Sequence, residues 1–154
     1  ARNYEFLVQF KVCPTTAVAP PTSATVPIDV VALPGSALDG YQYTVISGSY
    51  YCSDDGTLAG TSTFEVQLGY ATIGPPGAWT QVGTDIVTTT TITGSGNGQD
   101  SAALAITTPA ITLGATPYFL GLFLVTLDAL ALNAAHSVLT VTLKLRRTDG
   151  LRSV

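Results

Sequence analysis

Between Val12 and Leu143 the chain has no lysine and no arginine. All six basic residues lie near the ends: Arg2, Lys11, Lys144, Arg146, Arg147 and Arg152. The central stretch thus offers no cation to stabilise charge developing in a reaction, which tells against catalysis there. Histidine is nearly as scarce. His136 is the one imidazole, with no cysteine or acidic motif beside it. Catalytic triads and most metal centres need a histidine set among partners, so His136 reads as a loop or edge residue. The cysteines are Cys13 and Cys52. Two are too few for a disulfide framework, and no CxxC spacing occurs. They read as small buried apolar side chains, with a single disulfide tying the N-terminal strand to the domain as the alternative. Methionine is absent, so residue 1 is expected to follow removal of an initiator Met. No GxSxG elbow, phosphate-cradling loop or dinucleotide fingerprint is present. GSGNGQD at 94–100 has spaced glycines, but it precedes no helix and reads as a flexible loop. Asp54 and Asp55 are adjacent and precede Gly56, which is a turn signal. A weak calcium site there is the rival reading. No catalytic residue, cofactor or metal site is expected.

Charge is sparse as well as uneven. Charged residues are 10% of the chain and apolar ones 46%, whereas about a quarter of a soluble domain is charged. A surface so poor in ions suits a protein covered by neighbours. The chain ends sum to +4 and the middle to −8, giving the net −4. If the ends pair as neighbouring strands, Arg2, Lys11, Lys144, Arg146 and Arg147 form one basic patch on an acidic body. That patch reads either as a docking surface for an acidic partner or as ordinary solubilising charge. Nucleic acid is a poor fit, because the cluster is small and not interleaved with aromatics. The longest apolar run, at 118–127 and extending to Leu132, falls short of the ~20 residues of a spanning helix. No segment reads as a signal peptide or a membrane span.

What is abundant is strand signal. With 154 residues the chain fits one domain. Residues 4–12 alternate, with Tyr4, Phe6, Val8, Phe10 and Val12 on one side. CPTTAVAPPTS at 13–23 carries three prolines and reads as an extended arm. Residues 24–35 form a second extended segment. Further strands are expected at 41–52, with Gly48 as a possible bulge, and at 61–70, with Phe64, Val66, Leu68 and Tyr70 inward. Residues 72–80 read as a loop in which Trp79 plugs one end of the core. Strands follow at 85–93, weakly at 101–113, at 118–127 and at 137–147. In the last, Leu139, Val141, Leu143 and Leu145 face inward. No amphipathic helix of useful length appears, and the spacing of strands and turns indicates an antiparallel sandwich or barrel.

The strand at 118–127 is apolar on both faces. One face can fill a core and the other needs a cover. Tyr118, Phe119, Leu120, Leu122 and Phe123 are therefore candidate oligomer-interface residues. Cover by residues 13–35 of the same chain is the rival.

Residues 41–147 run strand, acid-Gly loop, FEVQLGY strand, loop, Thr-rich segment, apolar strand, then SVLTVTLKLRR. This order resembles the small jelly-roll modules of tailed-phage virions, in particular capsid decoration (cement) proteins. NAAHS stands where those modules carry a Gly-Asp turn. The resemblance implies an all-β, antiparallel jelly-roll sandwich of about eight strands. Residues 1–35 would be an N-terminal strand and Pro-rich arm, and residues 36–154 the sandwich. It implies a homotrimer on the outer capsid surface that bridges capsomers, with the major capsid protein as partner and neither nucleic acid nor membrane. Removing residues 1–23 would then leave a folded body. Two other functions fit the residues: a receptor- or carbohydrate-binding fibre tip using Tyr50, Tyr51, Tyr70 and Trp79, and a major capsid or surface-layer subunit.

Overall fold

The computed structural model describes residues 3–12, 26–35, 40–53, 61–71, 78–93, 99–114, 116–126 and 138–148. Arg2, Cys13, the Pro-rich stretch 13–23, Asp54, Asp55, residues 94–98 and His136 lie outside them. Ten strands occur among the described residues: β1 (Asn3–Val12), β2 (Asp29–Leu33), β3 (Gln42–Ser53), β4 (Thr61–Ala71), β5 (Trp79–Gln81), β6 (Val87–Thr93), β7 (Gln99–Ala103), β8 (Ala110–Thr112), β9 (Tyr118–Thr126) and β10 (Val138–Thr148). They pair antiparallel into two sheets. Sheet A runs β1-β10-β3-β7, with β8 also on β3, and sheet B runs β2-β9-β4-β5, with β6 also on β4.

Two of the lateral positions are shared. β7 pairs with Ser49–Ser53 and β8 with Gln42–Thr44, so both lie along one side of β3. Likewise β5 pairs with Gly69–Ala71 and β6 with Thr61–Val66 along one side of β4. Counting positions in chain order, the sheets read 1-8-3-6 and 2-7-4-5. That is the winding of an eight-position jelly roll.

The alternation in the sequence builds the core. Val8, Phe10 and Val12 of β1 face Leu139, Val141, Leu143 and Leu145 of β10 in one layer, all buried. Phe64, Val66 and Leu68 of β4 and Leu120, Leu122 and Leu124 of β9 supply the other. Each such side chain contributes about 1.5–3 kcal/mol of burial. Cys52 lies in the same core. Gly48 lies where a Cβ would come 2.6 Å from Leu143 Cδ2. The β3–β10 irregularity falls just before it, at Ile46, because Lys144 pairs with Ser47 and Leu145 with Val45.

The flanks differ. On one, Thr107 N donates to Ile86 O at 2.9 Å, tying the link between β7 and β8 to the approach to β6. On the other, β1 and β2 are the outermost strands of their sheets, and Lys11 N reaches Asp29 Oδ2 at 3.4 Å. Both strands come from the 1–35 segment expected to form a strand and arm. In the pairing they are integral edges of the sandwich. Trp79, expected in a loop, opens the short strand β5.

Candidate assembly surfaces

The register of β1 with β10 decides what the outer face of sheet A shows. Glu5 lies opposite Arg146, Leu7 opposite Lys144, Gln9 opposite Thr142 and Lys11 opposite Thr140. The chain ends do pair, as the clustering of basic residues requires for a common patch. Glu5 sits between two cations, with its Oε2 3.1 Å from Lys144 Nζ and its Oε1 3.0 Å from Arg146 NH2. The hydrogen bonds from Arg146 and then Lys144 hold the Glu5 carboxyl below its ordinary range. Three cations against one carboxylate leave this face positive. Leu7 stands in the middle of it, 68% exposed, with Tyr51 and Ile46 of β3 also exposed.

Arg147 does not belong to this patch. Alternation turns it to the other side of β10 from Lys144 and Arg146. Its guanidinium carbon lies 5.0 Å from the Tyr4 ring centroid and 4.5 Å from that of Tyr41. A guanidinium between two rings closes one end of the sandwich by cation–π contact. Of the candidate docking residues, then, Lys11, Lys144 and Arg146 share a face.

Sheet B presents different chemistry. Its five strands carry two charged residues, Asp29 and Glu65, and no cation. Among the interface candidates, Leu120 and Leu122 point inward and are fully buried. Tyr118 also turns inward at the sheet end, where it stacks on Tyr70 at 6.2 Å. Phe123 does face outward, yet it is fully buried beneath Trp79, with ring centroids 5.4 Å apart. Phe119 alone of the five is an outward residue left half-exposed. The doubly apolar strand is therefore covered in large part by its own chain.

Trp79 supplies that cover because two glycines let it lie flat. A Cβ at Gly69 would stand 2.5 Å from Trp79 Cζ2 and from Thr80 O, and one at Gly121 would stand 3.0 Å from Trp79 Cη2. The register explains the coincidence: Gly69 pairs with Phe119 and Gln67 with Gly121, so the glycines are diagonal neighbours. The indole N–H donates to Gln67 Oε1 at 2.9 Å, Gln67 Nε2 donates to Glu65 Oε1 at 2.7 Å, and Thr89 Oγ1 donates to Glu65 Oε2 at 3.5 Å. This chain satisfies the buried Glu65 and Gln67 and fixes the ring. Beside the ring opens a cleft of about 450 Å³ lined by Val26, Pro27, Val30, Ala71, Trp79 and Phe119. The described residues that line it are all apolar. Val26 and Val30 are exposed at its rim.

The four aromatics proposed for a fibre tip do not converge. Tyr50 is core, Tyr51 lies on the outer face of sheet A, Tyr70 closes the sheet end, and Trp79 lies outside sheet B. The cleft itself was not foreseen, since its walls come from four separate segments. Among the described residues, no group of three His, Cys, Asp or Glu side chains is placed to hold a metal ion. No helix among them is long and apolar enough to cross a membrane.

No known family matches the chain, and no curated protein does. Loose likenesses exist among solved structures. One from turnip yellow mosaic virus is 12% identical over 99% of this chain and 97% of its own, with a TM-score of 0.37. One from desmodium yellow mottle tymovirus is 13% identical over 100% and 92%, with a TM-score of 0.33. One from infectious bursal disease virus, Gx strain, is 11% identical over 99% and 38%, with a TM-score of 0.38. Likenesses this loose carry no functional weight. The fold assignment rests on the strand order of the molecule itself.

Proposed function

We propose that the chain is a non-enzymatic structural protein of a virion that works by packing against other subunits. The observation that carries this reading is the chemistry of the two outer faces. One is basic with an exposed leucine, and the other is free of cations with an apolar cleft beside a fixed indole. Apolar surface of this kind, on a chain with few ions, is what protein contacts bury. The jelly roll is compatible with shells, lectins and small-molecule enzymes alike. The predominantly apolar cleft favours protein side chains over sugars, because sugar recognition needs converging polar groups.

In its finer form the reading is a decoration protein. A homotrimer would sit on the outside of a phage head and bridge capsomers, with the major capsid protein as its partner. The basic face of sheet A suits an acidic partner surface. The residues between β1 and β2 would add a second attachment point, gaining affinity by multivalency. The test is to purify particles and measure the copy number of this chain. A fixed ratio to a separate shell protein, with particles that lose heat resistance when the chain is stripped, is expected. Absence of the chain from particles overturns the reading. A shell-building role is the second reading, favoured by the presence of two unlike contact faces on one chain. Closed particles formed from purified protein alone would select it over decoration.

A further inference from the structure

We propose that two copies of this chain join along β1, antiparallel about a two-fold axis, so that sheet A runs unbroken from one copy into the other. The proposal rests on the assembly reading above and names its partner, a second copy.

The first observation is an open edge. β1 is the outermost strand of sheet A, and its ten residues pair with β10 on one side. Lys11 N reaches Asp29 Oδ2, away from β10, so its N–H lies on the free side. Backbone groups alternate sides along a strand. The N–H and C=O groups of Glu5, Leu7 and Gln9 therefore point to the free edge with those of Lys11. Beyond that 3.4 Å contact, the backbone of these four residues makes no hydrogen bond on that side among the described residues. β1 carries no proline, and its register with β10 has no bulge. A long, regular edge of this kind is a template for another strand. The second observation is the order of side chains on the outer face: Glu5, Leu7, Gln9, Lys11. Turned through 180° about Val8, this order sets Glu5 against the partner's Lys11 and Leu7 against the partner's Gln9. Symmetry repeats both matches. Opposite charges directly across a strand pair stabilise it, and like charges oppose it. An edge lysine commonly discourages pairing, but here it selects a register. Residues that exchange hydrogen bonds across an antiparallel pair must both be free-edge residues, and all four are. The pairing closes about eight backbone hydrogen bonds. Of the registers this rule allows, the one centred on Val8 matches Glu5 with the partner's Lys11. Lys11 makes no salt bridge among the described residues, whereas Glu5 already holds Lys144 and Arg146. Leu7, 68% exposed, and Tyr4, 41% exposed, lie on this same strand and lose contact with water in the pair.

The contact is isologous, because the same strand serves both copies, and it closes with two. In the pair, the carbonyl of the partner's Glu5 replaces Asp29 Oδ2 as the acceptor for Lys11 N. The outer face of sheet B, with its cleft, stays free for the contacts of the larger assembly.

The test uses three variants, Gln9→Pro, Lys11→Glu and Tyr51→Glu, followed by sedimentation velocity. Proline at position 9 removes a donor on the free edge and leaves the β10 ladder whole. Lys11→Glu sets carboxylate against carboxylate at both ends of the contact. Tyr51 is exposed on the same outer face but two strands from the edge, so Tyr51→Glu is the control. Circular dichroism and urea midpoints check that each variant folds. Lys11 is exposed, so Lys11→Glu carries the test if Gln9→Pro does not fold. Wild-type protein is expected to pair, more tightly at about 0.05 M than about 0.5 M salt. Gln9→Pro and Lys11→Glu are each expected to weaken pairing by at least about tenfold, and Tyr51→Glu to leave it unchanged. Folded edge variants that pair like wild type, or a Tyr51→Glu variant that loses pairing, overturn the edge contact and leave assembly standing. Wild-type protein that stays monomeric at millimolar concentration also overturns the edge contact. Assembly falls with it only if the chain is absent from purified particles as well.

Discussion

Trp79 shows how much one side chain depends on residues that have none. Its ring rests on Gly69 and Gly121, so a methyl group at either position pushes against it. Gly69→Ala is the more severe change, because the new Cβ would also meet the Thr80 carbonyl oxygen, which is backbone and cannot yield. The expected cost is about 1–3 kcal/mol of stability, read as a lowered urea midpoint. Nothing local in the sequence predicts this seat. Gly69 and Gly121 become neighbours only once β4 and β9 are paired. Glu5 gives a second test at this scale. Its carboxyl is held below its ordinary range by Arg146 and Lys144. The stabilisation is present above the unfolded-state value, about 4.3, and is lost as pH falls through the depressed folded value. A Glu5→Gln variant should therefore be slightly less stable than wild type near neutral pH. The two urea midpoints should converge in acid. Because the pair is exposed, the gap is expected to be small.

Strand β10 was the most legible element and β1 nearly so. Their alternation is strict, and Leu139, Val141, Leu143 and Leu145 all go where period two sends them. Leu143→Ala should cost about 2–5 kcal/mol, whereas Thr142→Ala on the opposite face should stay within about 0.5 kcal/mol. What covers a strand is a different matter, and β9 shows why. Its two apolar faces were evident and residues 13–35 were one candidate cover, yet the sequence could not choose between that segment and a second copy, nor name Trp79 as cover. Cover is non-local, and periodicity is silent about it. The same limit applies to β1. Its alternation was visible, but its pairing with the far end of the chain entered only as a condition for a common basic patch, and the ten-residue register was not readable. Deleting residues 1–23 would remove Val8, Phe10 and Val12 from the core, contrary to the expectation that a body would survive. Loss of cooperative unfolding is the expected outcome, and a deletion variant that still melts sharply would show that β1 is dispensable.

At the level of the whole molecule, the uneven placement of charge along the chain becomes an uneven placement in space. The jelly-roll winding brings the first and last strands together in sheet A, beside β3, β7 and β8, and builds sheet B wholly from the cation-free stretch. That segregation was half readable. The run without lysine or arginine is plain in the sequence, but that both charged ends fall in one layer needs the topology. The same pairing has a practical corollary. Asn3 lies directly opposite Thr148, so the two ends of the sandwich emerge one strand spacing apart, about 5 Å. A short Gly-Ser bridge could fuse them, and a new start could be opened in the connection between β3 and β4. Such a circular permutant should fold with a denaturation midpoint near that of the parent. It would move the free chain ends to the β3–β4 connection, where cargo could be fused in place of the native termini.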